Sequence, residues 1–222
     1  MDIGHNISEI RKKLPSTVKL VAVSKFKPSE DILEAYEAGQ RAFAESRPQE
    51  LAAKASELPH DIEWHFIGHL QTNKIRLVLP YVTLIHSIDS RHLLEEVSRQ
   101  ASVSGKVIDC LLEVHIASEE TKQGFSDEEA FETASSVYPG IRLRGLMGMA
   151  TDTEDNLLVR NEFRHLKQTF DRIKQSLDKG ISESFDTVSM GMSGDYLTAI
   201  EEGTTLVRIG SAIFGKRNKT EI

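Results

Sequence analysis

The chain has one cysteine, no long apolar run and no excess of positive charge, and each shortage excludes a class of protein. Cys110 is the only cysteine among 222 residues, which excludes an intrachain disulfide and a cysteine-rich zinc site. No apolar stretch approaches the roughly 18 residues of a transmembrane helix, so we expect no membrane span. The 27 Lys and Arg residues face 34 Asp and Glu residues, and the net charge of −7 argues against a dedicated nucleic-acid binder.

Several motifs of common enzymes are also missing. The sequence contains no G-x-G-x-x-G, P-loop or G-x-S-x-G string, which counts against dinucleotide binding, nucleotide hydrolysis and serine hydrolase chemistry. Residues Met1–Leu14 carry charges throughout and lack the apolar segment of a signal peptide. We therefore expect a cytoplasmic globular protein that is either an enzyme or a small-molecule binder.

Short runs rich in β-branched residues alternate with helical patterns along the whole chain. The runs predict eight strands, at Val18–Ser24, Arg41–Glu45, Glu63–Ile67, Thr83–Ser87, Val107–Ile116, Arg142–Met147, Thr187–Met190 and Thr205–Ile209. Between two of them, Leu166, Phe170, Ile173 and Leu177 share one helical face and predict a helix over Asn156–Leu177.

Local signals mark where helices begin and end. Ser126 and Glu129 have the spacing of a capping box, which predicts a helix that begins there. Gly39, Gly180 and Gly203 stand where helices are expected to end, because glycine accommodates the left-handed conformation of a helix C-terminus.

Strands that alternate with helices predict parallel pairing, because a parallel neighbour needs a long crossover. Eight such units form either an open doubly wound sheet or a TIM (β/α)8 barrel, and the count of eight favours the barrel. We expect one α/β domain over residues 1–222, with the barrel over about 18–217. An extra N-terminal helix precedes it, over about residues 2–14.

A lysine directly follows the first predicted strand. The working groups of a parallel barrel lie at the C-terminal ends of its strands, and Lys25 has this position after Val18–Ser24. Burial there disfavours the charged form, and a neutral amine is a nucleophile towards carbonyl carbons. A solvated loop lysine at the start of a helix is the alternative that the sequence leaves open.

Turns of small residues follow strands seven and eight. These turns expose backbone N–H groups beside the hydroxyls of Ser193 and Ser211, and barrels often bind phosphate in these two loops. Ser193 has an alternative role as the N-cap of a helix over Gly194–Glu202. With Lys25 on the adjacent strand, the two turns suggest a phosphorylated aldehyde as the ligand.

Other polar residues could belong to the same site. Arg208 lies within the eighth strand, where it either faces inward as a donor to a ligand or faces outward beside a helix carboxylate. His65 and His69 are four residues apart on an extended segment, so we expect site-lining or core histidines and no metal. Glu113 and His115 share a strand face, either as a polar pair at the site or as surface residues.

The motifs together resemble the pyridoxal phosphate homeostasis protein family. The resembling strings are Ala22–Lys25 with Lys27–Pro28, Trp64–Gln71 with Asn73–Lys74, Glu119 with Lys122, Gly124 and Phe125, Gly145–Met147 with Met149, Ser189–Ser193 with Asp195, and Val207–Gly210 with Ala212–Gly215. They extend over nearly the whole chain and keep the family's order, which makes the resemblance far more specific than any single string.

The resemblance implies the barrel of alanine racemase and a bound pyridoxal 5′-phosphate (PLP), joined to Lys25 as an internal aldimine. It implies that Arg208 faces the pyridine nitrogen, with His65 and Met149 also among the cofactor-binding residues. The residues expected at the phosphate are Ser193, Gly194, Gly210 and Ser211. One departure is Ala44-Glu45-Ser46, where many members have Gly-Glu-Asn, so the resemblance does not extend to an asparagine contact with the cofactor at this position.

The implied function is PLP homeostasis, a part of vitamin B6 metabolism, without efficient catalysis and without catalytic residues. An arginine at the ring nitrogen leaves it unprotonated, which weakens the electron withdrawal that carbanion chemistry needs. The alternative is a low-efficiency PLP-dependent amino-acid racemase. The expected partners are PLP and apo-enzymes that receive it, with no nucleic acid or membrane, and the expected state is a monomer or weak homodimer.

Overall fold

A closed barrel of eight parallel strands forms the centre of the molecule. The computed structural model describes residues 2–119 and 123–215. The strands are β1 (Lys19–Val23), β2 (Ala42–Glu45), β3 (Glu63–Phe66), β4 (Val82–Ile88), β5 (Ile108–Glu113), β6 (Ile141–Met147), β7 (Thr187–Ser189) and β8 (Leu206–Ile209). They follow one another around the barrel in chain order, and β1 closes it by pairing with β8, where Ala22 lies beside Ile209. This closure confirms the predicted TIM barrel and rules out the open sheet.

Helices surround the barrel and connect its strands. They are α1 (Ile3–Lys13), α2 (Ser29–Glu37), α3 (Pro48–Glu57), α4 (Ile75–Val78), α5 (Arg91–Val103), α6 (Asp127–Ala134), α7 (Asn156–Ser176), α8 (Lys179–Ser184), α9 (Tyr196–Glu201) and α10 (Ser211–Phe214). A 3-10 turn over Thr72–Lys74 precedes α4. In the part of the chain that the structure describes, no helix has both the length and the apolarity to cross a bilayer.

The alternation of inward and outward residues along each strand divides the core into two layers. A small inner layer fills the barrel and consists of Val21, Ala42, Ala44, Leu84, Leu111, Met147 and Leu206. A larger outer layer packs strands against helices and includes Phe43 of β2, Leu94 of α5 and Phe163 of α7. Because side chains alternate along a barrel strand, a polar residue two positions from an inner-layer residue faces the interior.

The predicted helix signals are mostly confirmed. Ser126 accepts a hydrogen bond from the Glu129 N–H, and the Glu129 carboxylate accepts one from the Ser126 N–H. Gly39 and Gly203 follow α2 and α9 with φ of +85° and +89°. The prediction that Gly180 ends a helix is wrong: α7 ends at Ser176, and Gly180 lies inside α8.

The extra N-terminal helix is present as α1 and packs against the barrel's outer layer. Asp2 caps it by accepting a hydrogen bond from the His5 N–H at 2.7 Å, and Ile3, Ile7 and Ile10 are buried on one face. The Asn6 side-chain amide donates to the carbonyl oxygen of Ile213 in α10 at 2.9 Å. The first and last described helices are therefore joined. The predicted barrel end at residue 217 lies outside the described residues.

The fifth strand is shorter than the sequence predicts. It ends at Glu113, and the expected continuation to Ile116 is wrong. The Val114 N–H still donates to the Met147 carbonyl oxygen of β6 at 2.8 Å, but Val114 also forms a bridge with Phe125, whose N–H donates to the Glu113 carbonyl oxygen at 2.8 Å. The apolar residues after Glu113 thus pack in the loop that follows β5 and do not extend the strand.

Candidate functional site

A cavity of about 380 Å³ lies at the C-terminal ends of the strands. It is lined by Val23, Lys25, Lys27, Ile67, Met147, Met149, Met192, Ser193, Gly194, Arg208, Gly210, Ser211 and Gly215. Seven of the residues predicted to bind a cofactor are in this lining: Lys25, Met149, Ser193, Gly194, Arg208, Gly210 and Ser211. The structure therefore brings together residues from both ends of the chain.

A second cavity, of about 340 Å³, lies at the opposite end of the barrel, between α1 and the starts of β1 and β2. Its charged side chains already have partners. Lys19 forms an ion pair with Glu63, and Arg11 donates to the Gly39 carbonyl oxygen at 3.0 Å and to the Gln40 side chain. These contacts leave the cavity at the C-terminal end as the better candidate site.

Lys25 reaches the cavity from the turn after β1. Val21 and Val23 pack in the inner layer, and alternation directs Lys25 towards the same interior, where its side chain is half-buried. The next residue, Phe26, has a φ of +64°, a left-handed conformation that non-glycine residues rarely adopt. Nearby, the Lys27 amine donates to the carbonyl oxygen of Phe214 at 2.7 Å.

The loop after β7 forms the second wall. Gly191 has a φ of +93°, and a Cβ there would lie 2.6 Å from the Cβ of Ala199, so the turn requires glycine. The Asp195 carboxylate then accepts a hydrogen bond from the Met192 N–H at 2.5 Å. The alternative role of Ser193 as a helix N-cap is wrong, because Asp195 has the N-cap position of α9.

Ser193 instead joins this loop to the loop after β8. Its hydroxyl accepts hydrogen bonds from the Gly210 N–H at 3.2 Å and the Ala212 N–H at 3.3 Å. Among the described residues, no acceptor meets the N–H groups of Ser193, Gly194 and Ser211. Unpaired backbone donors and a hydroxyl on two neighbouring turns suit an anionic oxygen ligand.

Arg208 is buried on the inner face of β8, which settles the question of its direction. It is 3% exposed and donates to the Ser189 carbonyl oxygen at 2.8 Å, the Ser189 hydroxyl at 2.6 Å and the Gly148 carbonyl oxygen at 3.1 Å. Within the described chain it has no ion-pair partner, and the attraction of Glu113 and Asp195 acts over longer distances. Burial lowers its pKa to about 10, so it stays protonated at neutral pH.

Two buried histidines, His86 and His65, extend the hydrogen-bonded contact of Arg208 with Ser189 across the barrel interior. The His86 Nδ1 lies 2.9 Å from the Ser189 hydroxyl, and its Nε2 lies 2.8 Å from the Nδ1 of His65. Burial lowers the pKa of His65 to about 3 and that of His86 well below its usual value, so both rings are neutral. His86 and Ser189 had no predicted role, although alternation on β4 and β7 gives a signal for their inward direction.

His65 was expected among the cofactor-binding residues but does not line the cavity. It is 2% exposed and lies in the barrel interior, where its ring contacts that of His86. The possible polar pair of Glu113 and His115 does not form, because the His115 Nε2 is bonded to the Ala117 carbonyl oxygen. In the described ranges, no group of three or more His, Cys, Asp and Glu side chains could hold a metal ion.

Glu113 is a buried carboxyl group beside the cavity. It is 9% exposed, and its partner in the β5–β6 register is Met147, which lines the cavity. Burial raises its pKa to about 7, and the nearby Asp89 carboxylate acts in the same direction. Glu113 therefore changes its protonation state near neutral pH, a property that its spacing in the sequence does not indicate.

None of the three residues Ala44, Glu45 and Ser46, where the sequence departs from the family pattern, is in the lining of the cavity. Ala44 is an inner-layer residue. The backbone of Ser46 packs closely against Gly68, because a Cβ on Gly68 would lie only 2.1 Å from the Ser46 carbonyl oxygen. Glu45 is fully buried on the other side of β2. Lys122, part of the resembling pattern, lies outside the described residues.

Comparisons with known proteins agree with this architecture. The family model for the N-terminal domain of alanine racemase matches residues 2–218. A pyridoxal phosphate homeostasis protein of Vibrio alginolyticus is 41% identical over 230 residues, which cover 98% of this chain and 97% of that protein.

Two solved structures illustrate the range of the similarity. PipY of Synechococcus elongatus PCC7942, solved with PLP bound, is 32% identical with a TM-score of 0.85, over 96% of this chain and 100% of that one. Alanine racemase from E. faecalis shares the fold at 16% identity and a TM-score of 0.75, over 97% of this chain and 58% of that one. The match over nearly the full length of its relatives shows that this chain belongs to the pyridoxal phosphate homeostasis protein family.

Proposed function

We propose that this protein holds PLP reversibly at the barrel mouth and contributes to PLP homeostasis without efficient catalysis. The observation that carries the proposal is the cavity itself, which combines the Lys25 amine with unpaired backbone donors and a buried arginine. The names of its relatives and the PLP bound to PipY support it.

The residues around the cavity fit the parts of this cofactor. The phosphate would be held by Ser193, Gly194, Gly210 and Ser211. Arg208 would face the pyridine nitrogen, and Met149 would pack against the ring. When bound, the cofactor supplies an aldehyde carbon, which the Lys25 amine in its uncharged form would hold as a Schiff base.

Charge complementarity also supports this assignment. Arg208 has no ion pair in the described chain, and the Lys25 and Lys27 amines line the same cavity. Two carbonyl oxygens and a hydroxyl already compensate Arg208. The two lysine amines lie beside backbone N–H donors at the cavity, and this arrangement favours an anionic, phosphorylated ligand. His65 would act only indirectly, through His86 and Ser189.

Weak catalysis follows from the same residues. Arg208 stays protonated and donates hydrogen bonds without giving up a proton at neutral pH, so it cannot protonate a ring nitrogen. Efficient racemisation also needs acid–base groups on both faces of the substrate, and Lys25 serves one face. The alternative of a low-efficiency racemase gains support from Glu113, whose pKa of about 7 suits an acid–base group.

The remaining parts of the proposal concern its surroundings. We place the protein in the cytoplasm as a monomer or weak homodimer, with apo-enzymes as recipients of PLP. Release requires a competing amine or water at the aldehyde carbon, and the half-buried position of Lys25 at an open cavity permits this access.

Borohydride trapping tests the proposal. Purified protein is incubated with PLP, reduced and digested, and the modified peptide is identified by mass spectrometry. We expect the label on Lys25 and an absorbance band that Lys25→Ala lacks. A label on another lysine, or a band that persists in Lys25→Ala, would overturn the assignment of Lys25. Saturable turnover of an amino acid that requires both Lys25 and Glu113 would favour the racemase.

A further inference from the structure

A cluster of three charged side chains, two of them buried, lies on the outer side of β1 and β2, away from the cavity. We call Glu45, Glu50 and Lys54 the Lys54 cluster. The Lys54 amine lies 2.9 Å from the Glu45 Oε1 and 2.7 Å from the Glu50 Oε1. The Glu45 side chain is fully buried and that of Lys54 is 9% exposed, so solvent does not screen their attraction strongly.

The Lys54 cluster contacts the backbone on both sides of Lys25. The Lys54 amine donates to the carbonyl oxygen of Ser24 at 2.9 Å. The Glu50 carboxylate accepts a hydrogen bond from the Phe26 N–H at 2.6 Å. These are the two peptide groups that flank the Lys25 Cα, so one cluster holds the backbone rotation on either side of this residue.

A further bond links the cluster to the end of β1. The Ser24 hydroxyl donates to the Glu45 Oε1 at 2.6 Å. Ser24 and Glu45 therefore stay together at the C-terminal ends of adjacent strands, where the Ser24 N–H also donates to the Ala44 carbonyl oxygen at 3.0 Å.

The turn that the cluster holds is one that the chain would not adopt on its own. Phe26 has a φ of +64°, where its Cβ crowds the backbone. The Arg47 guanidinium packs over the Phe26 ring, 4.3 Å from its centroid, on the segment that begins α3. A strained residue beside a reactive one persists only where the surrounding contacts hold it, and here those contacts come from α3.

We propose that Glu50 and Lys54, supported by Glu45, are positioning residues that hold the Lys25 amine in the direction needed to capture an aldehyde. They act through the backbone of Ser24 and Phe26 and touch no ligand. This inference rests on the proposed function, since it assumes that Lys25 carries PLP.

The test compares two ligands that differ only at the group Lys25 attacks. PLP has the aldehyde, whereas 4-deoxypyridoxine 5′-phosphate keeps the ring and phosphate without it. We expect Glu50→Ala and Lys54→Met to weaken PLP binding about tenfold or more, as expected for losing a charge-assisted hydrogen bond. Affinity for the analogue, which does not use the Lys25 amine, should stay within about threefold of the unsubstituted protein.

Two further variants separate positioning from general destabilisation. Glu50→Gln keeps an acceptor for the Phe26 N–H and should restore most of the PLP affinity that Glu50→Ala loses. Arg144→Met is the matched control, because Arg144 forms ion pairs with Asp109 and Asp186 away from the cavity. It should leave the affinity for both ligands unchanged even if it lowers the melting temperature.

The outcomes distinguish this inference from the proposed function. If the unsubstituted protein yields no borohydride-fixed adduct with PLP, the proposed function fails. An adduct on a different lysine overturns the assignment of Lys25 and with it the positioning role. If the adduct is on Lys25, and the cluster variants bind PLP unchanged or lose both ligands in parallel, the positioning role is overturned. Because Glu50 is partly exposed, with 19% of its side chain accessible, the Glu50 pair gives a result even if Lys54→Met fails to fold.

Discussion

At the scale of single residues, Arg208 is a buried cation held by dipoles. Its donors go to two carbonyl oxygens and one hydroxyl, and the hydroxyl of Ser189 also contacts His86. If the Ser189 O–H donates to the His86 Nδ1, the His86 Nε2–H donates to the His65 Nδ1, so that each of these two contacts joins one donor to one acceptor. These hydrogen bonds stabilise the charge of Arg208 in the barrel interior without a carboxylate in contact with it.

Replacing Arg208 tests whether it faces the bound ring. We expect Arg208→Ala to weaken PLP binding about tenfold, since a hydrogen bond involving a charged group is lost. It should also shift the absorbance of the bound cofactor, because the ring nitrogen loses its donor. Titration followed by absorbance measures both effects. Unchanged affinity and spectra would show that Arg208 contacts no ligand, and Arg144→Met is the control for loss of a partly buried guanidinium.

Single residues also show where prediction from the sequence ends. Lys25 and Ser193 could be predicted at the cavity because each directly follows an apolar run, and the ends of parallel strands meet at one edge. His86 and Ser189 are 103 positions apart, and their contact depends on the barrel's closure. The motif around His65 predicts a place at the site, whereas alternation alone positions its side chain in the interior.

At the scale of elements, two glycines have different roles in the loop between β7 and α9. Gly191 is required by its φ of +93° and by its approach to Ala199. Gly194 has open space where a Cβ would stand, and its φ lies outside the left-handed region. One glycine therefore shapes the loop, and the other leaves the cavity open above an unpaired N–H group.

Alanine at each position should separate these two roles. We expect Gly191→Ala to lower the free energy of unfolding by about 1–3 kcal/mol, because the new Cβ is both strained and crowded. Gly194→Ala should fold with unchanged stability, within about 1 kcal/mol, but bind PLP more weakly as the methyl group enters the cavity. Urea unfolding and PLP titration measure the two. Normal PLP affinity in Gly194→Ala would place the phosphate elsewhere.

The boundaries of elements were harder to predict than their existence. The sequence after Glu113 stays apolar, so nothing local marks the end of β5. The strand ends there because the backbone of Phe125 forms hydrogen bonds with that of Glu113 and His115. Gly180 resembles a helix end locally, but α7 ends earlier, at Ser176, and the glycine falls within α8. The end of β5 in particular depends on a contact between segments, which a local pattern does not contain.

At the scale of the whole molecule, the fold was predictable because it repeats one simple unit. Each strand needs a long crossover to reach its parallel neighbour, and eight such units in 222 residues bring β8 back to β1. The small inner layer leaves room for a polar interior. That interior creates opposing dependences of stability on pH.

The two kinds of buried titratable group change stability in opposite directions. The pKa of Glu113 is raised by burial to about 7, so between about pH 4.5 and 7 the folded protein binds more protons than the unfolded chain, and stability falls as pH rises. The pKa of His65 is lowered to about 3, so its contribution to the free energy of unfolding falls as the pH drops below about 6.5. Within this pH range the contributions of Glu113 and His65 to the free energy of unfolding therefore oppose each other.

Glu113→Gln isolates one of these contributions. Relative to this variant, the unsubstituted protein should lose at most about 3 kcal/mol of unfolding free energy between about pH 4.5 and 7.5, with most of the change below pH 7. Urea unfolding at several pH values measures the difference. Glu96→Gln is the control, because Arg99 holds the pKa of the half-buried Glu96 at about 2 and its carboxylate stays ionised throughout. If the free energy of unfolding had the same pH dependence in Glu113→Gln as in the unsubstituted protein, Glu113 would be hydrated and could not act as an acid–base group beside the cofactor.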